Sequence, residues 1–341
     1  MYTLGIETSC DETAASVVKD GSIILSSIIS SQVDVHHLYG GVVPEIASRK
    51  HIEAIVQVVN SAIEASGITK SEIDSIAVTQ GPGLVGALLV GFSYAKALSY
   101  ALKIPYTGVN HLEGHITSVF LRDSEEPPKF PYVALLVSGG HTSIYYVTSH
   151  TEFTVMGQTR DDAAGEAFDK VSKMLNLGYP GGLVIDNLAK QGDPKKIKFP
   201  RSWLEKSGFD FSFSGLKSAV RRYLELHEDD LNDQLQDIAA GFQAAVVDVL
   251  SYKIINAAVT KKCKDIAVVG GVAANSRLRE KVTADALKKG INVHIPPISL
   301  CGDNAAMIAA AGFHYLNEGR VSDITDDVYS RAKSPPGQKH R

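Results

Sequence analysis

The stretch VNHLEGHITSV, Val109 to Val119, carries His111 and His115 four residues apart, with Glu113 and Gly114 between them. On a helix this spacing sets both imidazoles on one face, one turn apart, as two ligands of one metal ion require. Asn110 is a good N-cap residue, and a helix starting after it puts Glu113 at the third position, where its carboxylate would close a capping box. The pattern differs from the metallopeptidase HExxH, whose glutamate directly follows the first histidine and reaches the metal-bound water. Here Glu113 lies about 200° around from His111, so it points away from the histidine face and a peptidase would lack its general base. Taken alone, the pair also fits two ordinary helical histidines. A further ligand has to come from elsewhere. Asp303, in SLCGDNAAMIAAAG, opens an Ala-rich helix, where it fits an N-cap or the third member of a His₂Asp set with open coordination positions.

Two polar turns are the next candidates. SGGHT, Ser138 to Thr142, offers backbone amides and a hydroxyl without bulk, which suits a phosphate and equally suits a plain tight hairpin. ETSCDETAA has similar hydroxyls plus the carboxylates of Asp11 and Glu12. Carboxylates repel a phosphate unless a cation bridges them, so these two suit a base or orienting role, or a merely solvated turn.

The elements that must position these groups follow from pattern. YTLGIETSCDETAASVVKDGSIILSSIIS reads as a three-strand meander with an Asp20-Gly21 turn, and PYVALLVSGGHTSIYYVTSHTEFTVMG reads the same way. Each leads into helical segments, which suggests a duplicated α/β domain, with two unrelated hairpins as the plainer reading. KDIAVVGGVAANSRLRE reads as a strand ending in Gly270 and Gly271 and opening a helix, a place where backbone can approach an anion. A less regular region runs from about Gly178 to Glu228. The sequence expectation is a first lobe at 1–128 and a second at 129–302 with that insertion. A helix at 303–320 follows, returning to the first lobe, and then a frayed tail at 331–341.

Composition sets the outer limits. The chain has 341 residues, 44% hydrophobic and 21% charged, with net charge −4, so nothing global advertises nucleic-acid binding. The three cysteines, Cys10, Cys263 and Cys301, are far apart, which argues for a reducing compartment and against a thiolate zinc site. The start lacks a signal-peptide pattern, and GLVGALLVGFSYAKALSYAL, interrupted by Lys96, reads as a buried core helix rather than a membrane span. The expected location is the cytoplasm.

The paired meanders, SGGHT and GGVAAN together resemble the actin/sugar-kinase/Hsp70 (ASKHA) nucleotide-binding superfamily. Within it, GIETSCDETAAS, GGVVPEIASRKH, GPGLVGALLVG, VNHLEGH, LLVSGGHT, AGEAFDKV, GYPGG, FSFSGLKSA, GGVAANSRLR and CGDNAAMIA, in this order and nearly end to end, resemble the TsaD (formerly Gcp) family. The RDDAAGEAFDK wording resembles its bacterial branch. The resemblance implies a two-lobed fold with metal and nucleotide in the cleft between the lobes. It implies one divalent metal, iron favoured and zinc the alternative, on His111, His115 and Asp303. It implies that Leu136, Val137, Ser138, Gly139, Gly140, Asp169, Gly182, Asp186 and Asn275 contact threonylcarbamoyl-AMP. The implied reaction moves the threonylcarbamoyl group to the exocyclic amine of adenosine 37 in tRNAs reading codons that begin with A, forming t6A and releasing AMP. Asp11 and Glu12 are its candidates for removing the amine's proton, and TsaB and TsaE its implied partner subunits.

Two rivals remain at this stage. A small-molecule kinase or ATPase of the same superfamily would leave HLEGH without a task, and a non-catalytic scaffold should have lost the metal set. A local basic surface for tRNA is expected at Lys195, Lys196, Lys198 and Arg201 with Lys217, Arg221 and Arg222, where Phe199 and Trp203 would supply a stacking platform.

Overall fold

The computed structural model describes residues 1–121, 126–204, 208–228 and 231–331. The segment 332–341, nearly all of the expected tail, lies outside the described residues. The chain forms two compact units, one from Met1–His36, Val42–Asp123 and Asp303–Arg341, the other from His37–Gly41 and Ser124–Gly302.

The first unit carries β1 (Tyr2–Glu7), β2 (Glu12–Lys19), β3 (Ile23–Ser31), β4 (Ser75–Gly81) and β5 (Tyr106–Asn110), in the order β3-β2-β1-β4-β5. The first three strands are antiparallel neighbours, and β4 and β5 continue in parallel. Central β1 is buried over nearly its whole length, as a strand covered on both faces must be, whereas in edge strand β3 only Ser26 is buried and the rest are half-buried or exposed. Asp20 and Gly21 both have positive φ, 51° and 70°, the pair a two-residue hairpin turn needs.

Helices α1 (Val33–His37), α2 (Pro44–Ser66), α3 (Val85–Leu102) and α4 (His111–Thr117) follow these strands. The expectation for α3 is corrected. Ala87, Leu88, Gly91, Phe92, Ala95 and Ser99 are buried, while Val85, Leu89 and Tyr100 on the other side are exposed. It is a one-sided helix packed on α2 and β4, and its Lys96 donates to the carbonyls of Ile324 and Asp326.

The second unit repeats the plan. β6 (Tyr132–Val137), β7 (Thr142–Val147), β8 (Phe153–Gln158), β9 (Asp265–Val269) and β10 (Asn292–His294) lie in the order β10-β9-β6-β7-β8. Central β6 pairs antiparallel with β7 and parallel with β9, as β1 does with β2 and β4. Around this sheet are α5 (Ala164–Met174), α6 (Gly181–Ala189), α7 (Ser214–Leu226), α8 (Leu231–Lys261) and α9 (Ser276–Leu287). An 18-residue apolar stretch within Asp233–Lys261 of α8 is 89% buried, and the helix forms the middle of this unit's core. Finally α10 (Ala305–Asn317) returns to the first unit and packs across β1, β2 and β4. The two sheets share one strand order, which makes the fold a duplicated α/β architecture of the actin/sugar-kinase/Hsp70 type.

Candidate functional site

The sequence forms α4 where its cap dictates. Asn110 Oδ1 accepts from the amides of Leu112 and Glu113, satisfying two otherwise orphaned donors. The expected capping box is not made. The Glu113 carboxylate instead accepts from the Tyr315 hydroxyl on α10 and faces away from the histidines. Gly114 lets α10 approach, since a Cβ there would stand 2.8 Å from Ile308 Cδ1.

This packing brings Asp303 to the histidine face. Its Oδ1 lies 3.1 Å from His115 Nε2 and 3.5 Å from His111 Nε2, and one donor atom from each of the three residues fits within 4.8 Å. The N-cap reading of Asp303 is corrected here: Asn304 is the cap, accepting from Met307 N at 3.0 Å. The capping task falls one residue later, and the aspartate is turned to the imidazoles instead.

Glu7, at the end of β1, escaped the sequence reading. It is fully buried, and its carboxylate accepts from Ser9 N and, at 2.6 Å, from Thr79 Oγ1. Its Oε2 is 3.0 Å from His111 Nδ1, with Ser9 Oγ 3.2 Å from the same nitrogen. A ring that gives its Nδ1 proton to Glu7 keeps a lone pair on Nε2, the atom facing Asp303, which is how outer carboxylates orient metal-ligating histidines. His115 Nδ1 is buried with no hydrogen-bond partner. Two imidazoles and a carboxylate, converging and with one ring already oriented, fit a divalent cation of the iron or zinc type.

The electrostatics agree. Burial alone would depress His111, but the Asp303 and Glu7 carboxylates outweigh it and push it up to about 9. Asp11 is buried at the β1–β2 turn, and Glu12 begins β2. Glu12 is pushed up to about 9, first by burial and then by the charges of Asp303 and Asp11, against a bond from Ser31 Oγ at 3.2 Å. Burial, helped by the same acids, pushes the Cys10 thiol up and disqualifies it as a nucleophile.

In the second unit, the turn after β6 is closed by Ser138 N donating to His141 O at 2.8 Å and His141 N to Ser138 Oγ at 3.2 Å. Leu136 and Val137 are fully buried, which leaves only their backbone to contribute. A Cβ on Gly139, Gly140, Gly182 or Gly271 would meet nothing within 4 Å, so these backbones border open space. The start of α5 abuts the turn, because a Cβ on Gly165 would lie 2.6 Å from Ser138 O. Asp169, on α5, accepts from Gly181 N at 2.7 Å and holds the start of α6. Asp186, on α6, accepts from Ser276 Oγ at 2.9 Å, and Asn275 caps α9 while donating to Gln243 Oε1 at 2.8 Å. Hydrogen bonds thus link α5 to α6 through Asp169 and α6 to α9 through Asp186, and Gly165 sets α5 against the Ser138–Gly140 turn.

The expected stacking platform for RNA is corrected at Phe199, not at Trp203. Phe199 belongs to the core and packs edge-on to Tyr223, so it is not available to a base. Lys196, Arg201, Lys217 and Arg221 are paired with Asp237, Asp248, Asp162 and Glu225.

Comparison with known proteins identifies the family. The TsaD family model, tRNA N6-adenosine threonylcarbamoyltransferase, matches residues 23–310. A relative of that name from Desulforapulum autotrophicum is 59% identical, covering 98% of this chain and 99% of its own. One from Syntrophus aciditrophicus is 53% identical, with 97% of each chain covered. Among solved structures, T. kodakarensis HypF superposes with a TM-score of 0.63 at 14% identity, over 93% of this chain and 48% of HypF. The (R)-2-hydroxyglutaryl-CoA dehydratase component A of Acidaminococcus fermentans gives 0.55 at 16%, over 93% and 99%, and both likenesses concern the fold alone.

Proposed function

The chain belongs to the TsaD family and is a tRNA N6-adenosine threonylcarbamoyltransferase, and from that premise we propose how its residues divide the work. Threonylcarbamoyl-AMP and tRNA are its substrates. The donor is a mixed carbamoyl–phosphate anhydride, so AMP is a good leaving group. The acceptor is the exocyclic amine of adenosine 37, a poor nucleophile because its lone pair is delocalised into the ring. Catalysis therefore needs positioning, charge neutralisation and removal of one proton.

The donor phosphate sits against the amides of Ser138–Gly140, where the missing side chains leave room. Leu136 and Val137 contribute backbone, and Asp169, Gly182, Asp186 and Asn275 border the rest of the nucleotide. His111, His115 and Asp303 hold one divalent metal, with iron favoured over zinc. When bound, it supplies a Lewis acid for the donor's developing negative charge. Glu7 keeps His111 in the ligating tautomer. As the amine bonds to the carbamoyl carbon and the bond to phosphate breaks, its proton passes to the Asp11 carboxylate, while Glu12, pushed up to about 9 and so already protonated near pH 7, takes an orienting role.

The observation that carries this reading is the convergence of His111, His115 and Asp303 within 4.8 Å. A kinase built around Mg²⁺ would want oxygen ligands and has no use for the two imidazoles, and a bare scaffold has no use for any of the three. The test is metal content and threonylcarbamoyl transfer measured on one preparation. His111→Ala should lose both while keeping the native circular dichroism spectrum, and wild-type metal content in that variant would sink the assignment. TsaB and TsaE are the partner subunits proposed, and the exposed residues Ile52 and Val56 on α2 with Val85 and Leu89 on α3 support an apolar docking face. The cytoplasm, where tRNA is found, is the proposed location.

A further inference from the structure

The second unit holds a cavity of about 620 Å³ that the transfer chemistry does not use, between the segment around Trp203 and helices α8 and α9. Its size falls within the roughly 300–1,000 Å³ of small-molecule sites. One wall is aromatic: the indole of Trp203 meets the Tyr252 ring edge-on, with centroids 4.9 Å apart. Trp203 is half-buried, one side of it packed on the core, and Tyr252 is 41% exposed. The rest of the lining is rich in cations. Arg201, Lys281, Lys288 and Lys289 belong to it, with the two carboxylates of Asp248 and Asp285.

Those carboxylates are occupied. Asp248 Oδ2 accepts from Arg201 Nε at 3.0 Å and from its terminal nitrogen at 2.7 Å, which fixes the guanidinium beside the indole. Asp285 accepts from Lys281, from Lys288 at 2.9 Å and from Ser251 Oγ at 3.0 Å. Lys289 makes no ion pair with any described residue, so the positive charge of this lining is in excess and partly uncommitted. An aromatic face beside surplus lysine charge is complementary to a ligand that has a flat π system and an anionic group a few ångströms away. That combination describes a nucleotide, whose base stacks on aromatic rings whatever its identity and whose phosphate seeks ammonium groups.

We propose that this cavity is a second nucleotide site, taking the base against Trp203 and Tyr252 and the phosphate at Lys288 and Lys289. It goes beyond the transferase reading and shares no residue with the metal or donor sites. Its occupant is either a free nucleotide or an unpaired nucleotide of the tRNA substrate, which present the same chemistry.

Trp203 is the chain's single tryptophan, so its emission reports on this cavity directly. The experiment titrates the full chain with AMP in one arm and with unmodified tRNA transcript in the other. Both arms use a Gly139→Val background, which weakens the donor site, and nucleotide concentrations below that weakened affinity. Saturable quenching is expected, and Lys289→Glu or Tyr252→Ala should raise the midpoint about tenfold, the scale of one charge-assisted contact or one stacked base. Quenching by AMP identifies a free-nucleotide site, and quenching by tRNA alone identifies a subsite for the RNA. Silence of Trp203 in both arms, or quenching that ignores Lys289→Glu, overturns the proposal. The transfer activity of the parent protein does not depend on either outcome, so the two readings fail separately.

Discussion

Replacing Glu7 by glutamine is the sharpest test of how the metal site is built. The substitution keeps shape but makes one oxygen a donor. Glu7 now accepts three bonds, from Ser9 N, Thr79 Oγ1 and His111 Nδ1. With the amide nitrogen toward His111, the ring must accept at Nδ1 and carry its proton on Nε2, the atom that faces Asp303 and should ligate. With the amide flipped, the nitrogen confronts Ser9 N, donor to donor, in a fully buried place. Either outcome weakens ligation. Loss of an outer carboxylate of this kind costs roughly 10- to 100-fold in metal affinity, about 1.4 to 2.8 kcal/mol. The assay is competition for Zn²⁺ or Fe²⁺ against a chelator of known affinity, with thermal unfolding of the metal-free protein alongside. Thr79→Val is the control, since it removes a bond to the same carboxylate at 2.6 Å without touching His111. It should lower the melting temperature comparably and leave metal affinity within about twofold, because the His111 bond survives. If Glu7→Gln bound metal as tightly as the parent, or no more weakly than Thr79→Val, the tautomer argument would be refuted.

Asp303→Asn should lower metal occupancy by at least about tenfold by removing the anionic ligand, yet leave α10 capped by Asn304, so metal analysis and circular dichroism should part company. Gly139→Val should fold normally, because a Cβ there meets nothing within 4 Å. Donor affinity, read by calorimetry with a non-hydrolysable analogue, should fall about 10- to 150-fold through loss of one or two amide–phosphate bonds. Asp285 is held down at about 2 because its bonds from Lys281, Lys288 and Ser251 outweigh burial. A depressed carboxylate stabilises the fold above its unfolded value near 3.8 and loses that contribution as pH falls toward 2. Asp285→Asn should therefore cost up to about 2 kcal/mol at pH 7 and flatten the stability profile between about pH 4 and 2, followed by urea unfolding.

The parts of this fold that were legible in the sequence are those governed by neighbours along the chain. The Asp20-Gly21 turn, the Asn110 cap and the strand–glycine–helix passage at Gly270 need only a few consecutive residues to be recognised, and each forms where expected. The duplication was legible because a three-strand meander repeats with its period intact. Helix α3 was misjudged because its composition is apolar all round. Its amphipathicity comes from small residues such as Ala87 and Gly91 on the buried side, which hydropathy does not separate from the exposed Val85 and Leu89.

The candidate site divides along the same line. HLEGH announces itself because the ligands are four residues apart, but the carboxylates around it act across long separations. Glu7 reaches His111 over 104 residues and Asp303 reaches His115 over 188. In sequence, Glu7 is one polar residue at the end of an apolar strand, and nothing local marks it as the group that sets a ring's tautomer. Asp303 carried two readings that only tertiary packing separates, because Asp and Asn stand side by side and either can cap. Once Asn304 takes the cap, the aspartate can face the two imidazoles. Phe199 failed for the converse reason. Its lysine neighbours made it look exposed, while alternation along Lys196–Pro200 buries Ile197 and Phe199 and leaves the charged residues outside. An aromatic residue spaced by two among lysines is therefore better read as the inward side of an extended segment than as part of an RNA-facing surface, unless its neighbours two positions away are polar as well.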